Sequence, residues 1–497
     1  MAELQFLLEN FTLMALLIIS TAMSSVITSK GWNKYFPESG ASMIFGIGVG
    51  LLFQFLSLFN LKQEFQFDPK LFYFILLPPI IFDSGYSMRQ RNFFMNMGTI
   101  LLHAVFGTLI AAIVFGYGVY FFASVGAVSS ISGALESLLF GSLMSATDTV
   151  SILSVMNSPG CEVDSTLYAL IFGESVLNDA VAIVLFRTLS NFTGDSFSFL
   201  DLIKCIGTFT FVSLGSVIIG SAVGMIASFF FKKWSSTLQH SPHLEVSAVL
   251  MFAYLSYLVC ELAQTSGVMG LFLTGVTMKH YGWYSMSPHG QTTSEYVFKV
   301  LAFMSETFVF VYLGINVTGA VWSSFFKFQF DPLLIFLCVL LCFISRAVGV
   351  YGLYGLANLK RKKRVPWNFQ VLQWWAGLRG AVAFSLALNV TTENKDTIIS
   401  TTLMIVLFTI LGEGSLTAPL IRFLKVEKKR LLTPEGIPLR ESMEEELLAQ
   451  QELAEANARS DSPAQDKAHM SAFHMHWRKF DERIVKPYFG GKPRSGF

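Results

Sequence analysis

LYALIFGESVLNDAVAIVLFRTL, residues 167–189, is apolar over the length of a membrane-spanning helix but carries Glu174, Asn178 and Asp179 near its middle. A carboxylate at mid-membrane costs about 2.5–3.5 kcal/mol on insertion scales, against about 0.3–0.6 kcal/mol gained per Leu, Ile, Phe or Val. Partners, water or a bound cation must offset that cost. On a helix, Ser175 and Asp179 are neighbours one turn apart, as are Glu174 and Asn178, so one face offers hard oxygen ligands for a small alkali cation. The alternative is a buried hydrogen-bond or ion-pair network that only fixes helix packing.

The composition of the whole chain is that of a membrane protein. Of its 497 residues 53% are hydrophobic and only 14% are charged, whereas an average soluble domain is about 25% charged. This excludes an ordinary soluble enzyme, and a net charge of +1 gives no general attraction for nucleic acid. Residues 425–497 hold 13 Lys/Arg and 12 Asp/Glu, so we expect a membrane body over 1–424 and a cytosolic tail over 425–497.

The sequence predicts an all-α polytopic membrane protein with thirteen transmembrane segments. The segments lie near residues 7–28, 41–59, 71–86, 97–122, 135–157, 166–189, 202–231, 244–264, 266–282, 297–317, 332–357, 367–388 and 397–424. With a cytosolic C-terminus, the inner loops carry twelve Lys/Arg against six outside, which places the N-terminus on the luminal or extracellular side. Segments 1–6 and 8–13 would form two inverted repeats, the arrangement typical of secondary transporters.

Two of these segments are predicted to be broken helices. GSLMSATDTVS, residues 141–151, is rich in small and hydroxyl residues, which suits a break that lines a cavity, with Asp148 where the half-helices meet. The alternative is a Ser/Thr-rich packing face. WWAGLRGAVAFS, residues 374–385, is the second break, where Arg379 between two glycines would compensate negative helix ends. The alternative there is that Arg379 snorkels to the interface.

The other intramembrane charges also need an explanation. Arg346 lies within an apolar segment and requires a carboxylate, for which Glu174 is the first expected partner and Glu306 the second. Either pair would brace the ion site. Asp83 follows a Pro-Pro pair that predicts a helix break, and it is either a vestibule acid or a charge at a helix end.

Known energising and hydrolytic motifs are missing from the sequence. It has no GxxxxGK[ST], HExxH, GxSxG or TVGYG element, and its five cysteines form no CxxC pair. We therefore predict that the protein is neither a primary pump nor an enzyme, and that it has no zinc site and no cofactor.

Six stretches together resemble the monovalent cation/proton antiporters, specifically the eukaryotic sodium/proton exchangers. They are LLPPIIFDSGYS (76–87), FGSLMSATDTVSILSVM (140–156), LYALIFGESVLNDAVAIVL (167–185), SETFVFVYLG (305–314), FISRAVGV (343–350) and WWAGLRGAVAFSLAL (374–388). The resemblance implies a homodimer that works as an elevator. Helices 1, 2, 8 and 9 would form the dimer scaffold, helices 3–6 and 10–13 the moving core, and helix 7 the linker.

The resemblance also implies roles for individual residues. Asp179 matches the acid that binds Na+ (or K+, Li+) or H+ in turn, with Ser175 on the same face. Asn178 stands where electrogenic relatives have a second Asp, which implies electroneutral one-for-one exchange. Asp148 with Thr147 matches the acid of the first broken helix.

The charged residues beyond the ion site have counterparts in the family as well. Glu174 and Arg346 match a bracing ion pair, and Arg379 matches the cation of the second break. One departure stands out: Thr149 follows Asp148 where the family pattern has proline, so we expect the break or its ion geometry to differ.

The tail carries two recognisable stretches. Residues 440–460 predict an acidic amphipathic helix that docks a regulatory protein or the chain itself, with a solvated charged helix as the alternative. HMHWRKFDERIVKPYFGG, residues 474–491, suits packing under the membrane body or binding anionic lipid, which we also expect at the dimer interface. It resembles a stretch in the tails of organellar exchangers. That favours a Golgi or endosomal membrane over the plasma membrane.

The same residues admit other functions. A cation channel could line its pore with these acids, a K+-preferring exchanger would use the same site, and a membrane scaffold or sensor would retain only the transporter body. An intact Asn178–Asp179 pair argues against the last of these. A channel passes net current, whereas electroneutral exchange moves ions without current.

Overall fold

The computed structural model describes residues 2–32, 37–55, 69–88, 90–128, 131, 133–156, 158, 161, 163–191, 199–238, 241–327, 331–360, 364–426, 480–481 and 485–490. Its described part is helical and contains no β-sheet. The long helices are α1 (Ala2–Ser29), α2 (Glu38–Phe55), α3 (69–86), α4 (90–124), α5a (Ala134–Ser145), α5b (Val150–Met156), α6 (Ser165–Ser190), α7 (Phe199–Lys233), α8 (Pro242–Leu262), α9 (267–282), α10 (Pro288–Lys327), α11 (Pro332–Lys360), α12a (Trp367–Trp375), α12b (Ala381–Leu388) and α13 (395–424).

Length and apolar composition make this an integral membrane protein with multiple spans. Within the described ranges, eight helices are long and apolar enough to cross a bilayer. Large apolar side chains such as Phe211, Ile218 and Met251 are exposed on these helices, as expected of surfaces that face lipid. The all-helical prediction is confirmed, while the count of thirteen spans and the inverted repeat stay predictions.

Helix α3 passes through its two prolines without the predicted break. A π-helical turn, Phe72–Leu76, runs directly into the helix Leu77–Tyr86, whose first turn holds Pro78 and Pro79. Proline has no backbone N–H, so it cannot pair with a carbonyl of the preceding turn. That preceding turn is π-helical, which changes the pairing of its carbonyls, and the chain stays helical. The prediction of a break at this site was wrong.

The helices pack in two groups. In one group, α2 packs along α10, and α3 packs on α9 and α10. Gly46 of α2 permits the closest approach there, since a Cβ atom at this position would lie 2.1 Å from the Val311 carbonyl oxygen. In the other group, α4 packs on α5a and α11, α6 packs on α4 and α5a, and α12b packs on α13.

The described tail segment, residues 480–481 and 485–490, lies against the ends of α7 and α9. The Tyr281 hydroxyl donates a hydrogen bond to Asp481 Oδ1 at 2.6 Å, and Lys486 Nζ lies 3.4 Å from Asp481 Oδ2. Lys232 donates to the Pro487 carbonyl oxygen. The described part of the aromatic and basic stretch thus packs against the ends of α7 and α9. The predicted acidic helix over 440–460 lies outside the described residues.

Candidate ion-binding site

The two predicted helix breaks exist, and they contact each other. Helix α5a ends at Ser145 and α5b begins at Val150, while α12a ends at Trp375 and α12b begins at Ala381. The Asp148 N–H donates to the Leu378 carbonyl at 2.8 Å, so each break supplies a partner for the backbone of the other. Backbone groups inside a membrane need such partners once they leave a helix.

The first break forms without the proline of the family pattern. Ala146 is extended, with φ −62° and ψ 126°. The Thr149 N–H faces Ser175 Oγ at 3.4 Å, and the Val150 N–H donates to Asp148 Oδ1 at 3.0 Å. These partners replace the helical hydrogen bonds that a proline would have removed, so the break does not depend on one.

Gly380 allows the second break to approach Asp148. A Cβ atom at Gly380 would lie 2.0 Å from Asp148 Oδ2 and 2.3 Å from Asp148 Cβ, well inside van der Waals contact. Only glycine leaves room for the carboxylate at this position. The Asp148 carboxylate therefore lies directly against the backbone of the opposite broken helix.

Asn178 ties helix α6 to the first break and to α4. Its Nδ2 donates to Thr147 Oγ1 at 2.8 Å, and its Oδ1 accepts a hydrogen bond from Thr108 Oγ1 at 2.9 Å. Ser175, one turn earlier, donates to the Thr147 carbonyl at 2.9 Å. All four side chains are buried.

Asp179 lies beside this network. Its Oδ1 is buried and has no hydrogen-bond partner among the residues that the structure describes. Its charge interacts with that of Asp148. A buried carboxylate oxygen with a free lone pair is poised to bind a proton or a cation, because either one neutralises it.

The Glu174–Arg346 pair forms the centre of a second buried network. Arg346 Nη1 donates to Glu174 Oε1, and Gln373 Nε2 donates to Glu174 Oε2 at 2.5 Å. Arg346 Nη2 also donates to the Gln373 carbonyl at 3.0 Å, and the Tyr354 hydroxyl donates to Gln373 Oε1. The network joins α6, α11 and α12a with both charges compensated.

Arg379 is buried at the second break, where it is 1% exposed. Its Nη1 donates to the Ala146 carbonyl at 3.1 Å, and its backbone N–H donates to Thr409 Oγ1 at 3.1 Å. Its charge also interacts with Glu413 of α13. The guanidinium therefore contacts the carbonyl end of α5a rather than reaching toward an interface.

Asp83 and Glu306 lie on the other helix group. Asp83 is half-buried on α3 and accepts a hydrogen bond from Ser87 Oγ at 2.7 Å. Glu306 is half-buried on α10, and its charge interacts with those of Asp148 and Asp83. Arg346 pairs with Glu174; in the described structure no hydrogen bond joins it to Glu306.

Sequence reasoning missed several residues of these networks. Thr108, Gln373, Tyr354 and Thr409 are ordinary members of apolar helices, and only the packing brings them to the site. Glu413 is different, because it is a carboxylate in the middle of an apolar segment. The criterion that selected Asp179 would also have selected it.

The site has no features of a resident metal centre. In the part of the chain that the structure describes, no three His, Cys, Asp or Glu side chains are grouped to hold a metal. What the geometry offers is one unpartnered carboxylate oxygen, a second acid and several hydroxyls at the crossing of two broken helices. That arrangement fits a cation that is bound and released.

Comparison with solved structures supports this fold. The sodium proton antiporter MjNhaP1 from Methanocaldococcus jannaschii, solved at pH 8, matches with a TM-score of 0.62. The match covers 84% of this chain and 99% of that one, at 17% sequence identity. At this identity the likeness shows a shared fold.

Comparison with known sequences gives the family. The model of the sodium/hydrogen exchanger transmembrane family matches residues 14–423. An uncharacterised Na+/H+ antiporter of Schizosaccharomyces pombe is 37% identical over 424 residues, 84% of this chain and 73% of its own length. The sodium/hydrogen exchanger 8 of Rattus norvegicus is 37% identical, covering 80% and 69%, and the rat exchanger 9 is 36% identical, covering 86% and 64%. The chain belongs to the sodium/hydrogen exchanger family.

Proposed function

We propose that this protein exchanges Na+, or K+, for H+ across its membrane, one ion for one proton. The observation that carries the proposal is the buried, unpartnered Oδ1 of Asp179 at the crossing of the two broken helices. No cofactor is needed, because the transported ions are Na+ (or K+, Li+) and H+, and the opposing gradient supplies the free energy.

Coupling follows from the cost of moving a bare charge. With Asp179 ionised and empty, the core would carry an uncompensated charge through a medium of low dielectric constant. A proton or a cation removes that charge, so only the loaded forms cross readily. Since both ligands compete for the same carboxylate, each crossing carries one or the other.

The neutral Asn178 amide supports electroneutral exchange. An amide is neutral, so Asn178 adds no second charge beside Asp179, and its hydrogen bonds to Thr147 and Thr108 hold it in place. Glu174 forms an ion pair with Arg346, so its negative charge is compensated and does not act on the transported ion. The charge that changes during the cycle is then that of the Asp179 site.

We propose an elevator movement within a homodimer, and the two packing groups support the division into a moving and a fixed part. Helices α4–α6 and α11–α13 carry the breaks and the paired charges, and they form the moving core in our proposal. Because α3 and α10 pack on α9 and α2, we assign them to the scaffold, whereas the family resemblance implies that they belong to the core. Helix α7 links the two groups.

The cellular setting is part of the proposal. The tail stretch with Phe480, Asp481, Lys486 and Pro487 resembles those of organellar exchangers, which favours a Golgi or endosomal membrane over the plasma membrane. We propose a luminal N-terminus and a cytosolic tail, with anionic lipid or a regulatory protein as tail partners. In such a membrane the exchange would set the pH and cation content of the lumen.

A cation channel is the main alternative, and reconstitution separates the two. The purified protein is placed in vesicles with a pH dye, and outward Na+, K+ or Li+ gradients are imposed in turn. We expect proton movement that follows the cation gradient and, in the Na+ and Li+ experiments, keeps its rate when valinomycin and equal K+ on both sides hold the membrane potential at zero. A channel would instead give net current and a rate that depends on the clamp.

A further inference from the structure

Most side chains that the sequence predicts to be ion ligands already make hydrogen bonds within the protein. Asn178 uses its Nδ2 on Thr147 and its Oδ1 on Thr108. Ser175 donates to the Thr147 carbonyl and faces the Thr149 N–H. These hydrogen bonds hold α6 against the first break, and they leave a lone pair on Asn178 Oδ1 and on Ser175 Oγ.

Two buried oxygens of the site remain free. Within the described residues, Asp179 Oδ1 and Thr149 Oγ1 have no hydrogen-bond partner. Thr149 is 2% exposed, so water does not satisfy its hydroxyl from the surface. A buried hydroxyl without a partner has lone pairs that a bound cation could use.

The fold places these two oxygens on adjoining elements. The Thr149 N–H lies 3.4 Å from Ser175 Oγ, and Ser175 stands one helical turn before Asp179 on α6. Thr149 directly follows Asp148, the second acid of the site. Thr149 therefore lies on the break beside Asp148, and its backbone contacts α6 one helical turn before Asp179.

We propose that the Thr149 hydroxyl is a direct ligand of the transported cation. This inference rests on the proposed exchange function. A hydroxyl oxygen is a hard, neutral ligand that suits a desolvated alkali cation. Because it is neutral, it raises the affinity for the cation without adding a charge to the carrier.

Loss of the Thr149 hydroxyl should affect Na+ and H+ differently. A proton needs only a carboxylate, whereas a desolvated alkali cation needs several oxygens to replace its water. Losing the hydroxyl should therefore raise the KM for Na+ and leave the maximal rate of exchange nearly intact. A hydrogen-bond-strength contact to a charge corresponds to an increase in KM of about tenfold or more.

The experiment compares Thr149→Val and Thr149→Ser with the matched variant Thr402→Val. Thr402 on α13 is also fully buried, with a hydroxyl that lacks a partner in the described structure, so it controls for the same chemical change outside the two breaks. Each protein is assayed for Na+-driven exchange in vesicles. The rise in melting temperature on adding NaCl, measured in detergent, reports Na+ binding without transport.

We expect Thr149→Val to raise the KM for Na+ about tenfold and to lose most of its stabilisation by Na+, while Thr149→Ser and Thr402→Val behave as the wild type. An unchanged KM and an unchanged Na+ stabilisation in Thr149→Val would overturn the proposal while the exchange function stands. If the Val variant fails to fold, Thr149→Ala carries the same comparison.

The two proposals fail in different ways. A wild-type protein that binds Na+ but shows no exchange would refute the exchange function. The rise in melting temperature with NaCl would still test whether Thr149 binds Na+. A wild type with neither exchange nor Na+ stabilisation would overturn both.

Discussion

At the scale of the residue, intramembrane charges fall into two kinds. Glu174 and Arg346 compensate each other, and the amide of Gln373 adds a further hydrogen bond to the carboxylate. Asp179 is different, since one of its oxygens is buried without a partner in the described structure. A paired charge braces the fold, whereas an unpaired one has a free site for an ion.

Breaking the buried pair should destabilise the protein strongly. Glu174→Ala leaves Arg346 as a buried, uncompensated cation, which we expect to lower the free energy of unfolding by about 3–5 kcal/mol. The matched control is Arg187→Ala, which breaks the Arg187–Glu261 pair at 3.2 Å, where Arg187 is 45% exposed. That change should cost about 1 kcal/mol or less.

Thermal or denaturant unfolding in detergent measures both variants. The buried and the exposed pair should differ clearly in the stability that each variant loses. Equal losses would mean that the Glu174–Arg346 pair does not brace the core.

Much of the residue-scale picture is predictable from sequence, for a physical reason. A charge in an apolar segment is costly, so Arg346 calls for a carboxylate, and Glu174 is the partner that the structure shows. Thr108 gives no such signal, because a threonine in an apolar helix costs little. Its contact with Asn178 depends on how α4 packs against α6, which a local pattern does not encode.

At the scale of the element, the two broken helices decide the chemistry. Their composition, rich in Gly, Ser and Thr, predicts the breaks, and the structure confirms breaks at residues 146–149 and 376–380. The first break forms without a proline, with the Thr149 N–H facing Ser175 Oγ, while the expected difference in ion geometry stays a prediction. The π-helical turns of α3, α4, α9 and α13 were not predictable, because a shifted hydrogen-bond pattern has no clear residue signature.

A methyl group at the crossing should disable the site. In Gly380→Ala the new Cβ would meet Asp148 Oδ2 at 2.0 Å, so the carboxylate or the break must move, and we expect exchange to fall at least tenfold. The control is Gly352→Ala on α11, where a new Cβ meets nothing within 4 Å.

Both glycine variants are assayed in vesicles at equal protein content. We expect a near wild-type rate of exchange from Gly352→Ala and a large loss of exchange from Gly380→Ala. Wild-type activity in the Gly380 variant would show that the second break does not hold Asp148 in place.

At the scale of the whole molecule, the tail segment is anchored to the cytosolic ends of two helices in the proposed topology. Asp481 is 7% exposed and links Tyr281 of α9 with Lys486 of its own segment. The aromatic and basic residues predicted that this stretch would pack near the membrane body. The choice of α7 and α9 as partners required the folded structure.

Removing the Asp481 carboxylate should release this segment. Asp481→Ala loses the hydrogen bond from Tyr281 and the ion pair with Lys486, so backbone amides in residues 480–490 should exchange with deuterium faster than in the wild type. Tyr488→Ala is the control within the same segment, because Tyr488 is 63% exposed.

Hydrogen-exchange mass spectrometry of the purified protein makes this comparison. Faster exchange in Asp481→Ala, with wild-type protection in Tyr488→Ala, is the predicted result. Equal protection in all three proteins would mean that Asp481 does not anchor the tail.

The central claim is that Asp179 carries the cation and the proton in turn. Asp179→Asn keeps the size of the side chain but removes its charge, so the protein should fold and reach the membrane while losing exchange. The most direct test is Na+-driven proton movement in vesicles that contain the folded Asp179→Asn protein, beside the wild type. We expect no pH-coupled Na+ flux above that of empty vesicles, and sustained exchange in this variant would contradict the claim.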